Sequence, residues 1–208
     1  MASELGRIER PEAEGFRNKR KVYLVSLLFV APDAPGEYIE IFSRYWAQVN
    51  DHLTRLEAAA GSVKHIYHES IALSGEEGLK LLEKLSPGSC RLATEKCRHG
   101  AALEALDDKE LNDEIMDWER FIMAGFVSRK AANIVSEHYA ASSKRRYEHM
   151  IMRIDETLQK GEAGILFIRE GHRLQFPPTI EVFSVSPPAL DEIYRWVRDH
   201  ASNQSQGQ

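Results

Sequence analysis

Val22–Val30 (VYLVSLLFV) is apolar almost throughout, a pattern that predicts a strand near the centre of a sheet. Pro35 and Gly36 then deliver the chain into a helix over about Glu37–Ala60. Tyr38, Ile41, Phe42, Tyr45, Val49, Leu53 and Leu56 fall on one stripe of it, and Gly61 ends it. Val63–Ala72 (VKHIYHESIA) reads as a second strand, with Val63, His65, Tyr67 and Glu69 on one face. A strand–helix–strand unit of this length implies a parallel pair joined by a right-handed crossover. From Ser74 to Ser143 the texture is mainly helical. Gly75–Leu85 predicts a short helix stopped at Ser86-Pro-Gly88, Arg91–Thr94 a brief strand, and Ala101–Val127 and Ser128–Ala141 two further helices. Leu103, Leu106, Leu111, Ile115, Trp118, Ile122 and Met123 supply their apolar face.

Arg145–Val185 is the stretch around which the rest is organised. Tyr147, Met150, Ile151, Ile154 and Leu158 share a helical face, and Lys160-Gly161 closes that helix. Gly164–Ile168 is a continuous apolar run, the signature of a strand covered on both sides, and Thr179–Val185 is a last strand. Ser186-Pro-Pro188 opens a final helix that Leu190, Ile193, Tyr194 and Val197 pack back. The expected fold is therefore α/β: a mainly parallel sheet flanked by helices, with a helical insertion over about 74–143. Residues 21–200 form one domain, between a polar arm at 1–20 and a polar tail at 201–208.

Composition is that of an ordinary globular chain of 208 residues, 28% charged and 43% hydrophobic. A net charge of −5 argues against nucleic acid as a partner held by a broad basic surface. Cys90 and Cys97 are too few for a disulfide scaffold, and no apolar run reaches the length of a membrane span; a cytoplasmic setting is the expectation. Cys90, Cys97 and His99 do not have zinc-knuckle spacing, and the carboxylates between Glu104 and Glu119 lack the Glu-x-x-His arrangement of di-metal bundles. No phosphate-binding glycine loop, nucleophile elbow or H-E-x-x-H is present.

What remains is a polar set at the carboxyl edge of the sheet, where open α/β sheets place their ligands: Glu69, Arg145 or Arg146, and His172. An acid, a cation and an imidazole together can bind an anion, ligate a metal or move a proton. Their order along the chain resembles the TraB/TIKI group, relatives of the erythromycin-esterase and ChaN-like proteins. In that group a Glu ends an early strand, R-N-x-x-M opens a late helix and G-A-x-H ends a strand. The corresponding residues are Glu69, Arg146 with Met150, and His172 in Arg169-Glu-Gly-His172. The chain departs from the group in having Val30-Ala-Pro-Asp33 where G-E-x-H is usual, and Tyr147 in place of Asn.

The resemblance implies a hydrolase, with a divalent metal left open as cofactor. Glu69 and His172 would be catalytic residues and metal ligands, and Arg145 or Arg146 would hold an anionic group of a small-molecule or peptide ligand. The alternative is a non-enzymatic interaction or regulatory domain that keeps a degenerate site. A homo-oligomer is compatible with either.

Overall fold

The computed structural model describes residues 18–31 and 33–205, with backbone alone over 201–205; most of the expected polar arm and residues 206–208 lie outside that range. Five strands form one all-parallel sheet: β1 (Arg20–Ser26), β2 (Val63–His68), β3 (Ala102–Leu103), β4 (Ala163–Ile168) and β5 (Ile180–Val185). Their spatial order is β3-β2-β4-β1-β5. β4 is thus the middle strand and is buried along its whole length, as its unbroken apolar run requires. β1 stops at Ser26 rather than running to Val30. Its partners β4 and β5 end at Ile168 and Val185, so beyond Leu27, whose amide still bonds the Ile168 carbonyl at 2.8 Å, no ladder is left to join.

Helices cover both faces. On one side α1 (Gly36–Ala60) and the C-terminal helix α6 (Pro188–Ser205) pack with α2 (Gly75–Leu85) and α3 (Pro87–Arg98) around Tyr23, Val25, Tyr45, Leu53, Ile66 and Phe167. α6 runs five residues into the stretch expected to be tail. α3 occupies the segment where a brief strand was expected. Pro87 at its first turn and Cys90, Leu92, Ala93 and Lys96 on its buried face explain the helix. Gly88 is fixed by sterics, because a Cβ there would lie 2.3 Å from Trp46 Nε1.

The opposite face is covered by the second half of α5 (Arg129–Thr157), whose Met150 and Ile154 meet Val22, Tyr67, Leu166 and Ile180. α5 is one 29-residue helix where two were expected. Its first half leaves the sheet and pairs with α4 (Lys109–Ala124) as a helical hairpin, turned at Gly125 with φ 76°. The helix expected from Ala101 begins only at Lys109. Ala102 and Leu103 instead extend the sheet as β3, and Asp108 caps α4 by accepting the Leu111 amide at 2.9 Å. Leu103, Leu106 and Ile115 are buried as expected, whereas Ile122 and Met123 are exposed. After β4 the chain crosses β1 through residues 169–179 without a helix, pinned by Leu174 and Phe176 against the α5 side of the sheet. No helix among the described residues is long and apolar enough to cross a membrane.

Candidate functional site

The connection leaving β2 heads outward to β3, while the one leaving β4 heads the other way across β1 to β5. Chains diverging from adjacent parallel strands leave a crevice at their carboxyl ends. Glu69 follows β2 directly. Its amide bonds the Phe167 carbonyl at 2.9 Å, so the ladder holds its backbone up to the crevice. Ser70 then turns the chain away in the left-handed region, φ 68°, and its amide donates to Asp107 Oδ2 at 2.9 Å. Leu106 and Asp107 donate their own amides to the Ile71 carbonyl at 3.0 Å. The loops after β2 and β3 are thereby tied together before any side chain meets across the crevice.

α5 supplies Arg146, one turn before Met150 and on the same buried face. Glu69 and Arg146 are each 2% exposed and Asp107 4%. Arg146 Nε and Nη2 donate to Asp107, with the Nε contacts at 3.0 and 3.1 Å, and Nη1 donates to Glu69 Oε1 at 3.2 Å. Arg169, the first residue past β4, adds a second clamp on Glu69: its Nε reaches Oε1 at 2.7 Å and its amide reaches Oε2 at 2.8 Å. Arg169 also pairs with Glu119 of α4 at 3.2 Å, and Tyr139 donates to the same carboxylate at 3.4 Å. The hairpin is thus fastened to the strand ends.

Burial works against the Glu69 charge, but the Arg169 amide and the two guanidinia outweigh it and hold the carboxyl below its usual range. Burial likewise opposes the Arg146 charge, and the Asp107 bonds and carboxylate more than restore it. Glu69 is therefore a fixed anion. It is a poor proton acceptor, because protonating it would break charge-assisted bonds on both oxygens.

His172 is half-buried in the loop after β4, and burial pushes its pKa down, with the Glu69 charge opposing. Burial thus disfavours the charged imidazole. Nδ1 accepts the Leu174 amide at 3.4 Å, which assigns the ring proton to Nε2.

Against the two arginines lies a cavity of about 110 Å³, lined by Ile115, Tyr139, Ser143, Tyr147, Glu170 and Gly171 together with Arg146 and Arg169. His172 does not line it. Alongside runs a larger groove of about 1020 Å³ between α5 and residues 171–177.

The structure brings Glu69 and Arg146 into direct contact and leaves His172 within reach of the Glu69 charge. Arg145 points elsewhere: its guanidinium faces α4 and pairs with Glu114 at 2.7 Å. One helical step separates the two arginines by about 100°, so only one can face the sheet.

Glu69 and His172 do not fit the role of shared metal ligands. Both Glu69 oxygens accept guanidinium or amide hydrogens, and two positive charges stand where a cation would sit. Among the described residues no group of three or more His, Cys, Asp and Glu side chains is placed to hold a metal.

Asp107 and Arg169 are absent from the set drawn from the sequence. Asp107-Asp108 before α4 carried a signal, since a cap uses one aspartate and frees the other. Arg169 carried only its position at a strand end. No family model, curated protein or solved structure matches the chain.

Proposed function

We propose that the cavity at the β2/β4 strand ends binds a small molecule or peptide through an uncharged hydrogen-bond acceptor, an amide or ester carbonyl. The cavity itself carries this reading: two arginines, two tyrosines and a serine, with Glu170 beside them, line a space sized for a few atoms. Charge balance selects a neutral acceptor. Arg146 is matched by Asp107 and Glu69, and Arg169 by Glu69 and Glu119, so no positive charge is left over for an anion. The role expected of Arg146 as anchor for an anionic group is replaced by one as a donor whose charge is already met. Glu69 and Asp107 keep both guanidinia oriented and charged, which preorganises the donors.

A TraB/TIKI-like hydrolase is the second reading, favoured by His172 in the loop after β4, where burial disfavours the charged imidazole and Nδ1 accepts a backbone amide. In it Arg169 and the tyrosine hydroxyls would polarise a carbonyl and stabilise the developing oxyanion. His172 would reach the leaving group once a ligand draws the loop inward. No step is assigned to a metal.

One experiment separates the two readings. The full chain is titrated with N-acetylglycinamide and with acetate while amide and guanidinium signals are followed by NMR, and p-nitrophenyl acetate hydrolysis is measured in parallel. Binding predicts shifts at Arg169 and Gly171 with the amide probe, weaker with acetate and lost in Arg169→Gln. The hydrolase reading adds ester turnover that His172→Ala abolishes. Stronger response to acetate, or none at Arg169 with either probe, overturns the binding site.

A further inference from the structure

The α4–α5 hairpin ends in an unusual surface. Phe121, Ile122, Met123, Phe126 and Val127 are all exposed around the turn, Met123 to 85% and Val127 completely. Exposed apolar groups scattered singly are ordinary, but five within seven residues at a projecting tip form a patch of the kind that marks an interaction site. The groove between α5 and residues 171–177 is the complementary feature. It presents Tyr139, Tyr147, Ile151, Met152 and Pro177 as well as charged groups, and nothing among the described residues fills it.

A tip cannot reach its own groove. α5 is an unbroken helix from Arg129 to Thr157, which sets Val127 about 18 Å along the axis from Tyr139 at 1.5 Å per residue. Charge also favours a partner like the chain itself. Between Glu119 and Glu137 the only charged residues are Arg120, Arg129 and Lys130, so the tip is basic, while the chain as a whole carries −5. Such a tip is drawn to the acidic body of another copy. The groove's own charges are mixed, Glu148 and Asp155 against Lys144 and Arg173, and form no barrier of either sign.

We propose that the hairpin tip of each copy seats in the α5 groove of a second copy, giving a twofold dimer. The two contacts are equivalent under the twofold axis, so each tip buried brings a second with it. This doubling moves the contact toward the roughly 800 Å² per partner typical of stable interfaces. The groove and the small cavity share Tyr139, Ser143, Tyr147 and Gly171, so a seated tip walls the flank of the candidate site. The dimer does not depend on what the cavity binds.

The test is sedimentation velocity of the full chain over a concentration series, with Val127→Asp at the tip and Met152→Glu in the groove. Both positions are exposed, so neither substitution disturbs packing of the fold, and circular dichroism checks that it has not. Wild type should sediment as a dimer, and each variant alone should dissociate at concentrations about tenfold higher or more. An equimolar mixture of the two variants should recover dimer, because one tip and one groove remain intact in the mixed pair. A wild type that stays monomeric, a dimer indifferent to Val127→Asp, or a mixture no better than its components overturns the proposal. So does a monomer that cosediments with phosphatidylserine-containing vesicles through the tip, since the patch would then belong to a membrane.

Discussion

Replacing Arg146 by Met tests the buried network directly. The substitution keeps most of the side-chain volume and removes the cation, leaving Asp107 without its guanidinium partner and Glu69 with Arg169 alone. Stranding a buried charge costs about 3–5 kcal/mol, more than the intact pair contributes relative to a well-packed apolar replacement. For a chain of this size 1 kcal/mol moves the melting temperature by about 2–4 °C, so a fall of roughly 6–20 °C is expected.

The pH dependence has a definite sign. Glu69 has a folded-state pKa below its unfolded value, so its contribution to stability is present above the unfolded pKa and is lost as pH falls through the folded one. In the variant that depression shrinks, and protonation then relieves the stranded charge. The stability gap between wild type and Arg146→Met should therefore be widest near neutrality and narrow below about pH 4, near the ordinary carboxyl value. Urea denaturation at a series of pH values measures it. A second change, Asp107→Asn, should recover part of the loss in the Arg146→Met background while costing stability in wild type. A gap under about 1 kcal/mol at pH 7, or one that does not narrow in acid, would refute the view that this ion cluster fixes the strand-end loops.

Gly88→Ala should destabilise by about 1–3 kcal/mol, read from a denaturation midpoint, because its Cβ would collide with the Trp46 ring unless α1 and α3 separate. Ile154→Ala should cost about 2–5 kcal/mol as a buried truncation on the α5 face, whereas His172→Ala should cost under ~1 kcal/mol. Equal losses in the pair would mean that His172 packs as core. Both cysteines are free, and the Cys97 thiol has its pKa raised, chiefly by burial. Titration of the unreduced, denatured protein should return two thiols. In the native protein, labelling should reach the half-buried Cys97 before the buried Cys90.

Elements with one continuous burial pattern were legible in the sequence. α1 declared itself by its stripe from Tyr38 to Leu53, and β4 by four apolar residues bounded by glycine and arginine. The insertion was less so. Ala102-Leu103 is too short for any periodicity, and only its partner β2 makes it a strand. The continuity of α5 through Ala141–Lys144 was hidden because two halves of the helix bury different faces, one against α4 and one against the sheet, so no single stripe runs its length. Strand-end logic pointed to Glu69 with Arg145 or Arg146 and left open which arginine meets it; the contact is with Arg146. Asp107 and Arg169 were not singled out: a cap leaves one aspartate of Asp107-Asp108 free without saying what it meets, and Arg169 carried only its place at a strand end.

The strand order has a consequence for how the chain comes off the ribosome. β1 emerges first, yet both of its neighbours, β4 and β5, lie more than a hundred residues later. β2 meets β3 early, but its other edge also waits for β4. A nascent chain ending near residue 160 therefore holds two apolar strands that cannot pair with each other, since the strand that separates them has not been made. Such edges are open to wrong partners until they are covered. The six residues Ala163–Ile168 close both gaps at once, and their arrival also positions Arg169 against a Glu69 synthesised a hundred residues before.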